Sequence, residues 1–370
     1  MCAVEWKSLG DVCYISDYVS NGSFASLREN VIYKNYPDFA VLVRFADYSN
    51  GFDESRFIYI DEHAYNFLSK SSLEGGEIIM SNVGSCGMFF RCPILNRKMS
   101  LAPNSILIKS EYIDYLFHWL GSKTGQEAIK KITSKSAMPK FNKTEFKKIQ
   151  IPIPSVAKQQ EIVSQLDTFT TLISNLESEL DMRRKQYEHY RNQLLDFEGV
   201  EIKLLKELAT VKRGVRVVKT DLEESGKIPV FQNSLTPLGY KENYNRNKNT
   251  AFVICAGAAG DIGFSDNDFW AADDCSTINC GERLIDKYIY HFLITKQSFL
   301  KSRVRKASVP RLAGSFIENL EVPIPPLNTQ QEIVEKLDAF EQLIQSLETE
   351  IKLRKQQYEY YREKLLTFEK

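Results

Sequence analysis

From Ile162 to Phe197 the chain repeats one pattern, in which apolar or aromatic positions recur at gaps alternating between four and three residues. The positions are Ile162, Leu166, Phe169, Ile173, Leu176, Leu180, Arg183, Tyr187, Tyr190, Leu194 and Phe197, a heptad seam sustained over about five heptads. The seam returns at Ile333, Leu337, Phe340, Ile344, Leu347, Ile351, Arg354, Tyr358, Tyr361, Leu365 and Phe368. The two segments, Ile151 to Glu198 and Val322 to Glu369, align without a gap at a constant shift of 171 residues. About 26 of roughly 48 aligned positions are identical, the mark of an internal duplication. Each predicted helix follows a Pro-x-Pro segment, Pro152 and Pro154 or Pro323, Pro325 and Pro326, because proline blocks helix on its N-terminal side and tolerates it afterwards. About 40 helical residues at roughly 1.5 Å each span about 60 Å. A seam of that length is exposed on a lone helix, so the two copies are expected to pack on each other. The arginine within each seam, Arg183 or Arg354, is the kind of polar core residue that fixes register.

Around these helices the pattern changes to short apolar runs broken by glycine. In residues 1–150 the opening VEWKSLGDV suggests a short strand or turn and a helix beginning near Lys7. Strand-like runs follow at 39–46 and 56–61, residues 75–94 read as a glycine-punctuated hairpin, and Tyr112 to about Lys131 reads as helix. Residues 199–321 repeat that plan with a different filling: VEIKLLKEL matches the opening, residues 251–264 match the hairpin, and the helix from Tyr288 takes the place of the one from Tyr112. The loop RKASVPRLAGSF then matches SKSAMPKFNKTEF, with Pro139 and Pro310 again 171 apart. The expected architecture is α+β: two α/β domains, 1–150 and 199–321, joined by long helices within 151–198 and 322–370. If the helices pair as an antiparallel coiled coil, the molecule is pseudo-twofold and circular; a parallel pair needs a connection spanning the whole helix.

Composition sets the class. The chain has 370 residues, 43% hydrophobic and 12% aromatic, enough for two or more cores. No run approaches a membrane span, and the start MCAVEWKSLGDV shows no basic-then-apolar leader. Seven scattered cysteines without CxxC spacing point to reduced thiols and a cytoplasmic setting. Cys275 and Cys280 beside Asp273 and Asp274 have no neighbouring histidine, so a metal site there is not expected. The formal net charge of zero hides two basic stretches. Eight lysines stand against two glutamates from Lys123 to Lys148, and six basic residues against no acid from Lys296 to Arg311.

Catalytic constellations are missing. GAAGDIG at 257–263 lacks the spacing of a dinucleotide loop, GSKTG at 121–125 lacks the upstream glycine of a phosphate loop, and His63, His118, His189 and His291 stand isolated in the sequence. Nor is there an Asn-Pro-Pro-aromatic segment of the kind used by adenine methyltransferases.

With two dissimilar blocks, two near-identical long helices and the repeated entry "PIP…QQEIV…LD", the chain resembles the specificity subunit of type I restriction–modification systems, the HsdS family. The resemblance covers essentially the whole chain. It implies two target recognition domains, each binding one half of a bipartite sequence in double-stranded DNA, and helical spacers that set the distance between half-sites. It further implies two modification (methyltransferase) subunits and restriction (motor-nuclease) subunits as partners. S-adenosylmethionine, ATP and magnesium then belong to those partners, and this chain is a non-catalytic subunit with no cofactor of its own.

Recognition domains differ too much for residue transfer, so DNA-contact candidates are ranked by chemistry: cations on loops for phosphates, and polar side chains at groove-facing edges for bases. The matched loops supply Lys135, Ser136, Lys140 and Asn142, and Lys306, Ser308 and Arg311. Lys212, Arg213 and Arg216 around Gly214, with Gln232 and Asn233, join them in the second block; Ser81, Asn82 and Ser85 join in the first. Two other readings remain open: a specificity subunit serving a stand-alone methyltransferase or a methyltransferase–nuclease fusion, and a coiled-coil scaffold that binds proteins only.

Overall fold

The computed structural model describes residues 4–368; Cys2 and Glu369 lie outside them. The chain divides into two compact units, Met1–Ser174 with Lys352–Lys370, and Asn175–Ile351. Two helices dominate, Val156–Leu194 and Leu327–Leu366, at 39 and 40 residues. Each starts in one unit and ends in the other.

In the first unit, the head is built on two small sheets. One has strand order Tyr14–Asp17, Ser105–Lys109, Ile78–Ser81, Phe89–Arg91, antiparallel throughout. The other orders Tyr59–Ile60, Ala40–Val43, Lys98–Leu101, Ser72–Leu73, with its two central strands parallel. A two-stranded ribbon, Glu5–Ser8 on Gln150–Ile153, leads into the first long helix. The apolar side chains of the head helix Ile113–Gly121, namely Tyr115, Leu116, Trp119 and Leu120, share one core with Ile162, Leu166 and Leu366 of the long helices.

The second unit repeats the plan in a different sequence. Its antiparallel sheet runs Ala209–Arg213, Cys275–Cys280, Thr250–Ile254, Ile262–Ser265. Its smaller sheet, Gly239–Lys241, Ile228–Phe231, Trp270–Ala271, again contains a parallel pair, and lacks a counterpart of Ser72–Leu73. The ribbon is Ile202–Leu204 on Glu321–Pro323. Tyr288, Ile289, Phe292 and Leu293 of the helix Asp286–Ser302 pack with Ile333, Val334 and Leu337. Inside this unit Arg184 pairs with Glu348 at 2.6 Å, Tyr187 with Glu341 at 2.9 Å, and Tyr190 stacks on Phe340. Partner numbers thus fall along one segment as they rise along the other.

The shared phrase QQEIV has a local reason. The first glutamine is buried in both copies and donates to the carbonyl of the proline that precedes the helix, Gln159 to Pro154 at 2.8 Å and Gln330 to Pro325 at 2.9 Å. It satisfies a carbonyl that the proline-broken backbone leaves without an amide donor. The seam residues Ile162, Leu166, Ile173, Ile333, Leu337, Leu347 and Ile351 are buried, while Phe169, Leu176, Leu180, Tyr187, Phe340, Ile344 and Tyr358 are half-buried. The two seam arginines behave alike: Arg183 donates to Gln186 and Arg354 to Gln357, each at 3.0 Å.

Three sequence expectations change. Lys7 lies in the strand Glu5–Ser8, and the helix is only Leu9–Val12, because pairing with Gln150–Ile153 claims its backbone. The helix expected from Tyr112 to Lys131 is two, Ile113–Gly121 and Lys123–Ile132, broken where Ser122 caps the second by accepting from the Gly125 amide; GSKTG is that cap. The partner of Tyr288 is Tyr115, not Tyr112, since their hydroxyls donate to Pro152 and Pro323, one duplicated position, at 2.9 and 3.0 Å. The head shift is therefore 173, and the helix break accounts for the two extra residues.

Truncating the fully buried seam residues, Leu166→Ala or Leu337→Ala, is expected to cost about 2–5 kcal/mol, measured as a lower midpoint in urea with an unchanged slope. Burial holds the His118 imidazole below its usual 6.5, against the opposing effect of the hydrogen bond that it donates to Asp167. The unfolded chain therefore takes up that proton first, so the contribution to stability is full above about pH 6.5 and is lost as pH falls through the lower folded value. Urea titrations at falling pH should show this loss, and His118→Phe should flatten it.

Candidate nucleic-acid interface

Both heads carry the same loop-on-hairpin construction. In the first unit the chain from Ser134 to Lys140 closes on itself, Ser134 N–H donating to Lys140 O at 2.9 Å and Lys140 N–H to Ser134 Oγ at 3.0 Å. This closed loop is tied to the hairpin turn: Gly84 N–H donates to Pro139 O at 2.8 Å, Phe141 N–H to Asn82 O at 3.1 Å, and Val83 bridges Lys140. In the second unit Arg305 and Arg311 exchange backbone hydrogen bonds at 2.9 and 3.2 Å. Gly257 N–H donates to Pro310 O at 3.2 Å, Leu312 N–H to Cys255 O at 2.8 Å, and Ala256 bridges Arg311. Gly84 and Gly257 have φ of 79° and 81°, which glycine adopts without strain. At Gly257 a Cβ would also lie 2.8 Å from Asn233 O, so no larger residue fits the turn.

The expected contacts sort themselves by this geometry. Lys135, Ser136 and Lys140 are exposed on one closed loop, and Lys306, Ser308 and Arg311 on the other. Lys135, Lys140 and Lys306 stand outside the ion pairs found among the described residues, whereas Lys143 is held by Asp17, Lys148 by Glu145 and Lys301 by Asp261. The loop tips thus carry cations that no carboxylate among the described residues neutralises. Asn233 is brought to the turn, its carbonyl accepting from Ala258 N–H at 2.9 Å, with Gln232 half-buried beside it. Arg213 and Arg311 line one cavity of about 320 Å³ with Asp273, Asp274 and Ser276. Arg213 Nε donates to Asp273 O at 2.6 Å, and Arg311 lies 3.8 Å from Asp274. Lys212 and Arg216 are exposed, but no hydrogen bond among the described residues ties them to the loop.

Three candidates are taken up by the fold. Ser81 is 6% exposed and donates to Val83 O, within the hairpin. Asn142 caps the helix Lys143–Lys147, its Oδ1 accepting from Glu145 N–H at 2.8 Å. Ser136 donates to Met138 O at 2.7 Å and so shapes the loop it sits on. Asn82 has a buried Oδ1 without a hydrogen-bond partner, and Ser85 is exposed at the turn.

The histidines reading as isolated in sequence are the main omission. His118 and His291 are buried, and each meets an aspartate and a tyrosine from the long helices. The signal was present as Asp167 and Asp338, and Tyr358 and Tyr187, each pair 171 apart, but the altered head shift hid the histidine match. His291, Asp338 and Glu341 lie close enough to suggest metal ligands, their nearest atoms within 4.8 Å of one another. Glu341 Oε1 already accepts from Tyr187 and Tyr290, Asp338 Oδ1 pairs with His291, and the Lys287 ammonium sits 3.8 and 4.0 Å from the two carboxylates. A cation is already in place, and the first unit has Thr170 where the second has Glu341. Cys275 and Cys280, five apart on one strand, point to opposite faces of it; burial pushes both thiols up.

A family described as the type I restriction modification DNA specificity domain matches residues 3–182 and 198–354. A chain named as a type I restriction enzyme specificity subunit, from Haemophilus influenzae, is 29% identical over 99% of this chain and 96% of its own. The EcoR124I/EcoR124II specificity subunit of Escherichia coli is 35% identical over 60% of this chain and 64% of its own. Among solved structures, the type I S subunit of M. genitalium superposes over 100% of this chain and 97% of its own with a TM-score of 0.67 at 15% identity. A structure from work on type I complex assembly covers 99% and 98% with a TM-score of 0.59 at 14% identity. At such identities the likeness is one of fold.

Replacing Lys135 and Lys140 together by alanine should weaken binding to all duplex DNA and reduce the slope of log affinity against log salt by about 0.9 for each phosphate no longer neutralised. Asn142→Ala should instead cost about 1 kcal/mol of stability by removing the helix cap and leave the salt slope alone. Fluorescence anisotropy across a salt series separates the two.

Proposed function

The chain belongs to the type I restriction–modification DNA specificity family, and we propose that its two heads read the two halves of one split DNA target. It is a specificity subunit, and DNA target recognition is its role. The observation that carries the finer reading is the duplicated loop-on-hairpin. One backbone construction presents Lys135, Ser136 and Lys140 in one head and Lys306, Ser308 and Arg311 in the other, while the surrounding sequences differ. Equal scaffolds with unequal side chains suit two half-sites of different sequence. Lysine and arginine at the tips supply phosphate attraction, and the polar neighbours Asn82, Ser85, Asn233 and Gln232 are the reserve for base edges.

In this reading the long helices form an antiparallel coiled coil, the heads are related by a pseudo-twofold axis, and the closed molecule matches the local dyad of duplex DNA. The opposite running order of Arg184–Glu348 and Tyr187–Glu341 supports it. The helices then serve as a ruler between half-sites and as the docking surface for two modification subunits, with restriction subunits added to that complex. Adenine methylation with S-adenosylmethionine, and ATP- and magnesium-dependent cleavage, belong to those partners; this chain is the non-catalytic reader. No helix among the described residues is long and apolar enough to cross a membrane.

Expressing the chain with a modification subunit in a methylation-free host, and each alone, should yield a split adenine-methylated motif only when both are present. No motif from a co-purifying pair that also fails to bind DNA would favour the scaffold reading, and genes beside this one would separate a three-subunit system from a lone methyltransferase. Inserting one heptad into both helices should lengthen the tolerated spacer without altering either half-site. Seven residues add about 10 Å, about three base pairs at roughly 3.4 Å each; an unchanged spacing would remove the ruler.

A further inference from the structure

Each head touches its long-helix segments through apolar packing, through hydrogen bonds of backbone amides such as Lys123 N–H to Glu363 and Ile285 N–H to Gln330, and through one buried histidine cluster. In the first unit the His118 ring is 2% exposed, its Nε2 lies 2.8 Å from Asp167 Oδ1, and its Nδ1 lies 3.2 Å from the Tyr358 hydroxyl. Asp167 belongs to one long helix and Tyr358 to the other. A carboxylate only accepts, so Nε2 carries the hydrogen. In the second unit His291 is fully buried, with Nε2 2.8 Å from Asp338 Oδ1 and Nδ1 3.3 Å from the Tyr187 hydroxyl, whose hydrogen is donated to Glu341 Oε1 at 2.9 Å. Asp167 and Asp338 occupy one duplicated position, and so do Tyr358 and Tyr187.

The setting of the two clusters differs. Phe117 stands where the second unit has Tyr290, and Thr170 where it has Glu341; Arg362 stacks on Tyr358 in the first unit and Lys287 faces Asp338 and Glu341 in the second. The shared element is the buried histidine hydrogen-bonded to the duplicated aspartate, with the duplicated tyrosine beside its other nitrogen. Apolar contacts are non-directional, so by themselves they fix the seat of a head less narrowly than a hydrogen bond does. A buried ring hydrogen-bonded to the helices, at both nitrogens in the first unit and through Nε2 in the second, fixes it more narrowly, since breaking such a bond leaves a buried polar atom unpaired.

We propose that His118 and His291 are positioning residues, each locking its head in one orientation on the helix segments of its own unit and thereby fixing the half-site spacing that the protein accepts. This rests on the half-site reading above. Neither histidine touches DNA in this scheme; they act through the position of the loop tips.

The test is methylation mapping with the full chain and its modification subunit in a methylation-free host. The parent should mark one split motif at one spacing. His118→Phe, which keeps a ring and removes both hydrogen bonds, should mark the same half-sites while discrimination against a spacer one base pair longer or shorter falls about tenfold, the factor carried by 1.4 kcal/mol. His118→Gln, whose amide still donates toward Asp167, should restore the parent spacing. Tyr358→Phe deletes a single oxygen and gives the same reading, to a smaller degree, should the first variant fail to accumulate. A merely structural role lowers the melting temperature and leaves the spacing distribution unchanged, and that result overturns the proposal. A changed half-site sequence overturns it too, because the residue would then belong to the reading surface. A parent that yields no split motif removes the half-site reading itself, a failure visible before any variant is scored.

Discussion

A helix of about 40 residues with a single apolar stripe does not stand alone in water, and the architecture depends on how that stripe is covered. Local propensity and helix pairs contribute only tenths of a kcal/mol per residue; most helix stability in proteins comes from burying the stripe. Here the cover has two parts. In the first unit Ile162 and Leu166 bury against Tyr115, Leu116 and Trp119 of the head as well as against Leu366 of the other long helix. In the second, Ile333 and Leu337 bury against Tyr288, Ile289 and Phe292. Head and helix therefore share a core, and the head is not a bead on a tether. The buried Gln159 and Gln330 add a hydrogen-bonded start to each helix where the prolines withhold backbone donors.

That shared core explains what the two heads keep and what they release. The positions retained in both are those facing the helices: Tyr115 and Tyr288 on the proline carbonyls, His118 and His291 on the aspartates. Positions facing away are free to change so long as strands alternate and the turn glycines remain. The sheets show the result, with matched strands in the same order and the same parallel pair in two sequences of little likeness, one edge strand of the smaller sheet apart. Charge follows the same division. The chain is neutral as a whole, yet counterion release responds to local cations within about a Debye length, so unpaired lysines at the loop tips matter more than the total.

Much of this was legible because a duplication tests itself. Apolar residues at a period of 3.5 revealed the seam, and their return after 171 residues made coincidence untenable; the glycine-marked hairpins and the matched basic loops were readable for the same reason. The errors have physical sources. Lys7 reads as helix locally, but strand pairing with Gln150–Ile153 is a long-range term that propensity does not contain. The break at Ser122 introduced two residues into one head helix and shifted the apparent register, so the tyrosine and histidine matches were hidden. Asn142 and Ser81 look like base readers by residue type, and whether such a side chain faces a groove or closes a turn depends on backbone hydrogen bonds made far away in sequence.

Reading a split target places a demand on stiffness more than on affinity. A base-edge hydrogen bond discriminates only when donor and acceptor meet within a few tenths of an ångström, and two half-sites must be met at once. Any freedom in the loops or in the seat of a head spreads the same interactions over several registers and is lost as ordering entropy on binding. The structure opposes that freedom at two levels. The loops are closed by reciprocal hydrogen bonds, through backbone and the Ser134 hydroxyl between Ser134 and Lys140 and through backbone alone between Arg305 and Arg311, and tied to their hairpins. The heads are seated by a buried polar contact whose geometry is narrower than that of the surrounding apolar core. A polar group in a core adds little net stability when satisfied and costs much when displaced, so its natural use is to exclude nearby alternatives. Two such contacts at duplicated positions, in heads that otherwise diverge, are therefore better explained by a need for one fixed seat than by a need for a stronger one.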